Sequence, residues 1–407
     1  MAEADNNGPR SDPSRIPVLD GIRGLAILMV LLCHLSLYGG IDPAITADWI
    51  FYKLTLPLGC GVELFFVLSG FLITGILLDT KSAPGYFRSF YMRRLLRIFP
   101  LYYATLFFFY AILPRIVTPG ESYQQVLDAQ AWDWAYLSNI RLALDGWWSA
   151  GYLGHFWSLA IEEQFYLVWP VLVLVFSRRS FLALCATLLG VSVTIRWGQW
   201  VDGESLVRGY VTFARLDPLV TGAALAALAR SPRGLAALRP WARVAGAGSL
   251  TALTYLITTE AHSDPASVSR VFVQTLYALV FGSLLVLTVT ARKGSGLQRV
   301  FSNRALVFLG IYSYGIYVFH HPLLVFAGTH DIGAHRLPTV LGSQLPALAV
   351  VMAVGGAVTL AVAWLSYHLF EMRFLRLKRF FRPGRKPRFV PRPTVQGRPR
   401  VRGRVRR

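Results

Sequence analysis

Charge is what this sequence has least of. Asp, Glu, Lys and Arg make up 15% of its 407 residues and hydrophobic residues 54%, where a soluble domain carries roughly 25% charged residues. A water-soluble globule could not dispose of so much apolar surface, so soluble multi-domain architectures are excluded. Cysteine is nearly missing as well. Cys33, Cys60 and Cys185 all lie in apolar runs, which excludes a disulfide framework and a Cys-rich metal centre. A Gly-rich phosphate loop and zinc-type spacing are both absent, and no metal is expected. Acid is lacking at the C-terminus in particular: residues 373–407 hold 15 of the 41 Lys and Arg and no Asp or Glu. The remaining body has 26 cations against 21 acids, so most of the net charge of +20 belongs to a tail. From the total alone a nucleic-acid partner would be reasonable; its confinement to a tail leaves two readings, an anchor to anionic membrane lipid and a disordered topology determinant with no partner, and no nucleic acid is expected.

What is abundant is long apolar sequence. Ten stretches approach the length of a membrane helix, about 20 residues: 20–39, 57–78, 98–114, 156–176, 180–197, 210–229, 242–258, 271–290, 305–327 and 346–369. The first has a long polar leader and no small-residue cleavage site after it, and is expected to be retained. The loops alternate in charge. Segments 79–97, 177–180, 230–243 and 291–304 are rich in Arg and Lys, while 40–56, 115–155, 198–209, 259–270 and 328–345 carry acids such as Asp42, Asp128, Asp133, Asp145, Glu204 and Asp264. The positive-inside rule then places both termini in the cytoplasm. The expectation is an all-α polytopic membrane protein of about ten helices: a disordered leader over 1–15, one membrane domain over 16–372, and a disordered basic cytoplasmic tail over 373–407. Trp147, Trp148 and Tyr152 fit an aromatic belt at the outer interface.

An ionisable side chain in hydrocarbon is expensive and is a functional candidate by default. At 1.5 Å per residue, His34 lies roughly 16 Å in from the cytoplasmic edge, Glu63 about 9 Å below the outer end of its stretch, and Glu162, Glu163 and Asp217 about 10 Å below theirs. His320 lies about 24 Å beyond Arg304, with His155 near the outer surface. These groups fall between midplane and outer face on five stretches, which points to one site. His155, Ser158 and Glu162 share a helical face by their spacing. A neighbouring carboxylate raises a histidine's basicity and fixes its tautomer, so Glu162 or Glu163 is expected to orient His34. Ser69 lacks the strand–turn–helix setting of a nucleophile elbow and, with Gly70, reads as a close-packing position. His262, His330 and His335 read as solvated loop histidines.

A second cluster is cytoplasmic. Arg94 and Arg97 stand one helical turn apart beside Arg93, with Arg23 at the same membrane edge. The guanidinium fork suits phosphate, although a positive-inside anchor explains such residues too. An inner phosphate site and an outer imidazole–carboxylate site together suggest a donor that enters from the cytoplasm. A transporter using the buried His and Glu groups as a relay is the rival reading; such folds commonly show inverted repeats, and none is found.

The same residues carry a family resemblance. Arg23 to His34 in Asp20-Gly-Ile-Arg-Gly24…His34 resembles the R-x10-H signature of acyltransferase family 3, the integral-membrane O-acyltransferases. Phe65-Phe-Val-Leu-Ser-Gly-Phe-Leu72, Arg94-x-x-Arg97, His155-Phe-Trp-Ser-Leu-Ala-Ile-Glu-Glu-Gln-Phe-Tyr166, Arg215-Leu-Asp217 and Ser313-Tyr-Gly-Ile-Tyr-Val-Phe-His-His-Pro322 are similar to its other motifs. The likeness runs from about 16 to 375. One departure is Arg373, which stands where the closing motif usually has proline. The resemblance implies transfer of an acyl group, usually acetyl, from cytoplasmic acyl-CoA to a hydroxyl of a glycan, glycolipid or glycosylated metabolite, at the plasma (inner) membrane. It makes His34 and Arg23 the catalytic pair, and Arg94 and Arg97 donor-binding or essential arginines. The residues themselves add Glu162 and Glu163 to the catalytic candidates, Arg93 to the donor-binding ones, and Glu63, Asp217, His155 and His320 of the buried layer as substrate-binding candidates. His34 would act as general base or take the acyl group covalently; the sequence leaves both open.

Overall fold

In a computed structural model, the residues described are 16–37, 45–117, 121–146, 151–203, 209–261, 264 and 266–382. Each of the ten apolar stretches falls on a helix. In chain order these are α1 (Pro17–Leu37), α2 (Gly61–Thr80), α3 (Tyr86–Phe107), α4 (Trp157–Val175), α5 (Arg178–Val201), α6 (Asp217–Ala229), α7 (Arg239–Thr258), α8 (Val273–Val289), α9 (Arg304–Thr329) and α10 (Leu345–Ser366). Six helical runs are long and apolar enough to cross a membrane: Pro17–Leu37, Thr46–Thr80, Tyr86–Ile116, Gly151–Val175, Arg178–Val201 and Leu345–Phe381. The helices α6 and α8 are apolar but shorter. The chain is a multi-pass, helical membrane protein.

Outward-facing apolar side chains such as Leu167, Val175, Val244 and Val354 are exposed, as a lipid solvent permits. The interior is built around α1, α2, α4, α6 and α9, where Ile22, Ile27, Leu64, Phe66, Leu68, Leu219 and Ile316 are buried. Glycine lets the central helices approach backbone to backbone. A Cβ on Gly70 would stand 1.9 Å from the Leu219 carbonyl oxygen, and one on Gly222 2.0 Å from that of Val67, so α2 and α6 meet as small-residue membrane interfaces do. The close-packing role expected at Gly70 is seen there.

Three loop expectations are corrected. The segment 79–97 is mostly helix: α3 begins at Tyr86, so Arg88, Arg93, Arg94 and Arg97 ride on its first turns. Its alternating cations and aromatics hide the helical period. The outer segment 40–56 contains a helix, Thr46–Thr55. The segment 115–155 holds short helices at Glu121–Asp128, Gln130–Trp134 and Ser138–Asp145, which cap the C-terminal end of α3. Tyr102 donates to the Asp133 carbonyl at 2.7 Å, and Tyr110 bonds the Asp133 carboxylate.

The tail boundary also moves. Met372–Leu377 is helical and Lys378–Phe381 forms a 3-10 turn. The turn packs back on α3, where Ser89 Oγ donates to the Phe381 carbonyl at 2.8 Å and Arg88 lies over the Phe381 ring. The leader 1–15, Asp42, Trp147, Trp148, Glu204, His262 and the tail from 383 lie outside the described residues.

Candidate active site

The site begins with two parallel helices. A Cβ on Gly21, Gly24 or Gly310 would stand within 2 Å of a carbonyl oxygen of the facing helix or its lead-in, those of Phe301, Leu306 and Asp20 respectively. Helices α1 and α9 therefore touch along their backbones. Further along, the same pair presents His34 and His320 to each other, with His34 Nδ1 3.1 Å from His320 Nε2.

Two more imidazoles complete the group. His321 is edge-on to His34 at 5.8 Å between ring centroids, and His155 stacks on His321 at 4.9 Å and stands edge-on to His320 at 5.1 Å. His155 does not ride on α4. It sits in the 3-10 turn Gly151–Phe156 that leads into α4, on the α4 side of Leu153, where helical geometry is interrupted; Ser158 Oγ donates to the His155 carbonyl at 3.4 Å. Tyr317 ties the group together. Its hydroxyl donates to the His155 carbonyl at 2.7 Å and meets Ser158 Oγ at 2.5 Å, and its carbonyl faces His320 Nδ1 at 2.7 Å. His321 Nδ1 lies 3.0 Å from the Tyr152 carbonyl. His155 makes no hydrogen bond of ordinary geometry through either ring nitrogen. Among the described residues no group of His, Cys, Asp and Glu has the geometry to hold a metal.

The carboxylates expected to orient His34 are elsewhere. Glu162 accepts from Ser69 Oγ at 2.6 Å and from Tyr166 at 3.2 Å, and lies within electrostatic reach of Arg94 and Arg23. Ser69 is therefore more than a packing residue. Glu163 has a buried oxygen without a partner among the described residues, with Glu162 and Arg94 as its charged neighbours. The partner of His34 is His320, and that pairing is the correction.

Arg23 pairs with Asp20 at 2.9 Å and feels Arg94 and Arg97 nearby. Arg94 lies over the Tyr166 ring at 5.4 Å and Arg97 over Tyr314 at 5.9 Å. Neither forms a salt bridge with a carboxylate among the described residues. Arg93 donates to the Lys378 carbonyl at 3.4 Å, and Lys378 is itself within electrostatic reach of Arg93, Arg94 and Arg97. This end of the helix bundle thus gathers cations from α1, α3 and the segment after α10. Such a gathering can neutralise phosphates through paired N–H donors.

Glu63 and Asp217 are differently placed. Glu63 accepts from Arg215 at 2.9 Å, and that guanidinium lies 5.3 Å from each of the Trp157 and Tyr210 rings, which contact each other edge-to-face. Asp217, fully buried, takes both prongs of Arg196 at 2.9 and 2.8 Å and a third bond from Thr275. Arg196, His321 and Tyr317 were not singled out from the sequence. The only signal for Arg196 was a lone cation inside an apolar stretch, and His321 was masked by the histidine beside it.

Comparison with known proteins gives the chain its relatives. A family model described as an acyltransferase domain matches residues 16–368. The chain is 29% identical over 333 residues to the peptidoglycan O-acetyltransferase OatA of Listeria monocytogenes, covering 76% of this chain and 49% of that protein. It is 30% identical over 387 residues to the putative peptidoglycan O-acetyltransferase YrhL of Bacillus subtilis, covering 88% and 54%. It is 26% identical over 406 residues to the O-acetyltransferase OatA of Staphylococcus aureus, covering 93% and 60%. The chain spans about half to three-fifths of the length of these relatives. No solved structure matches it.

Proposed function

The chain belongs to acyltransferase family 3, and from that premise we propose that it moves an acetyl group from cytoplasmic acetyl-CoA to a sugar hydroxyl on the far side of the plasma membrane. The relatives named for peptidoglycan O-acetylation make a cell-wall glycan the acceptor of choice; a glycolipid or glycosylated metabolite offers the same hydroxyl chemistry. Ten membrane crossings, with both termini in the cytoplasm, give the arginines the inner face and the histidines the outer half.

One observation carries the reading. Helix α1 holds both Arg23, within reach of Arg94 and Arg97, and His34, in contact with His320. An anion-binding end and a proton-accepting end are thus joined by one rigid element. Arg94 and Arg97, with Arg93 and Arg23 beside them, grip the donor phosphates. The thioester arm extends along α1 toward His34. His34 removes the proton of the acceptor hydroxyl as its oxygen bonds to the thioester carbonyl carbon. The C–S bond then breaks, and the departing thiolate recovers that proton from the imidazolium as free thiol. Glu162, tied to Ser69 and facing Arg94 and Arg23, balances the inner cations along this path.

Mass spectrometry of envelope glycans from cells with and without the gene tests the proposal, with complementation by wild type and by His34→Ala. The expected result is loss of an acetyl mass that wild type restores and the variant does not. Full restoration by His34→Ala would sink it.

A further inference from the structure

We infer that His320 is a positioning residue that fixes the tautomer of His34 and leaves His34 Nε2 as its only proton-accepting atom. The inference rests on the acyl-transfer reading above and adds to it the identity of the atom that accepts the proton.

The chain of reasoning starts at a carbonyl. His320 is fully buried, and its Nδ1 lies 2.7 Å from the Tyr317 carbonyl oxygen. A carbonyl oxygen only accepts, so Nδ1 carries the hydrogen. The rings packed against His320 are His34, His155, His321 and Tyr317, and among the described residues no carboxylate bonds any of these imidazoles. A second proton would leave a buried cation without a counter-charge. His320 is therefore neutral and its Nε2 is a bare lone pair. That lone pair faces His34 Nδ1 at 3.1 Å, so His34 Nδ1 must donate. A neutral His34 then has its lone pair on Nε2, at the far edge of the ring. Oriented bases commonly use a carboxylate for this purpose; here a second imidazole does it, itself set by a backbone carbonyl.

A neutral acceptor has a distinct consequence. When His34 takes a proton, the imidazolium keeps its Nδ1–H bond to His320, which supports the charge without a permanent anion in the hydrocarbon. His320 thus raises the basicity of His34 and holds its ring, while the acceptor hydroxyl meets Nε2.

The test uses the full-length protein in detergent or nanodiscs, with acetyl-CoA and a soluble glycan acceptor. Three variants are compared with wild type: His320→Gln, His320→Asn and His34→Ala. The Gln amide oxygen reaches the place of Nε2 and can still accept from His34; the Asn amide ends near the place of Nδ1 and cannot. His320→Asn is expected to lower kcat about 10- to 100-fold with the KM for acetyl-CoA unchanged. It should also move the acid limb of the kcat pH profile to lower pH, because His34 loses the acceptor that stabilises its charged form. His320→Gln should recover most of the rate and return the limb. A merely structural role would lower the yield of folded protein without separating Gln from Asn and without moving the limb. Equal rates and equal limbs for Gln and Asn, in protein that folds normally, would overturn the inference while leaving the acyl-transfer reading intact. Activity surviving in His34→Ala would overturn both.

Discussion

The two flanks of α4 and its lead-in turn treat buried ionisable groups in opposite ways. Toward α6, each acid has its own arginine: Asp217 is gripped by Arg196 and Thr275, and Glu63 by Arg215. Toward α9, four imidazoles lean on one another and on backbone carbonyls, without a bonded carboxylate among the described residues. The first arrangement is closed, since every charge is answered and a ligand would have to break a pair to enter. The second keeps, among the described residues, unpaired nitrogens at His155 and cations without carboxylate partners at Arg94 and Arg97. Burial alone therefore does not mark a reactive group; whether its bonding capacity is used up does.

The comparison can be broken by measurement. The largest effect belongs to the open flank: His34→Ala should cut acetyl transfer about 10²–10⁴-fold with an unchanged melting profile in detergent. A matching loss of stability would mean that the open flank also holds the fold together. The closed flank should behave in reverse. Arg196→Ala strands Asp217 and should cost about 3–5 kcal/mol, read as a lower unfolding temperature, whereas Arg196→Met combined with Asp217→Leu should recover most of it. Activity lost from the well-folded double variant would make the pair part of the chemistry.

Asp133, in the outer cap, lies between the two patterns. Its carboxylate bonds Tyr110, but burial dominates and pushes its pKa up from 3.8 to about 6. Because the folded value is the higher one, protonation favours the folded cap. The penalty is full above pH 6 and fades as pH falls toward 4, amounting to about 3 kcal/mol at most. Protection factors in the cap, with the intrinsic pH dependence of amide exchange divided out, should therefore rise on acidification through this window, and Asp133→Asn should abolish the rise. The smallest effect is expected at the inner end. Arg94→Ala should raise the KM for acetyl-CoA by about 10- to 100-fold, the worth of roughly 1.5–3 kcal/mol for a charged hydrogen bond. Truncation after Arg382 is the control and should leave that KM within about twofold; an equal rise would bring the tail into the donor site.

The helices were legible in the sequence because apolar length survives without knowledge of neighbours, and each of the ten stretches falls on one. The start of α3 was not, since its cations and aromatics alternate too closely to show a period. The meeting of Arg23, Arg94 and Arg97 at one end followed from loop charge and depth. The partners of the buried groups did not. Depth along each helix places Glu162 and His34 at comparable levels, but rotation about the axis decides contact, and that is set by neighbouring helices. Glu162 turns to Ser69 and Tyr166, His34 to His320, and Asp217 to an arginine 21 residues earlier.

The glycine contact between α1 and α9 works as a pair of calipers. From Gly24 to His34 and from Gly310 to His320 each arm counts ten residues, about 15 Å of rise. Equal arms bring the two rings level. One residue added to a single arm would turn its ring by about 100° and lift it about 1.5 Å out of reach, although every side chain of the site would still be present. The interval between Arg23 and His34 is thus not a free distance along one helix. It is a gauge length held in common with α9, and it could lengthen or shorten only if both arms did so together.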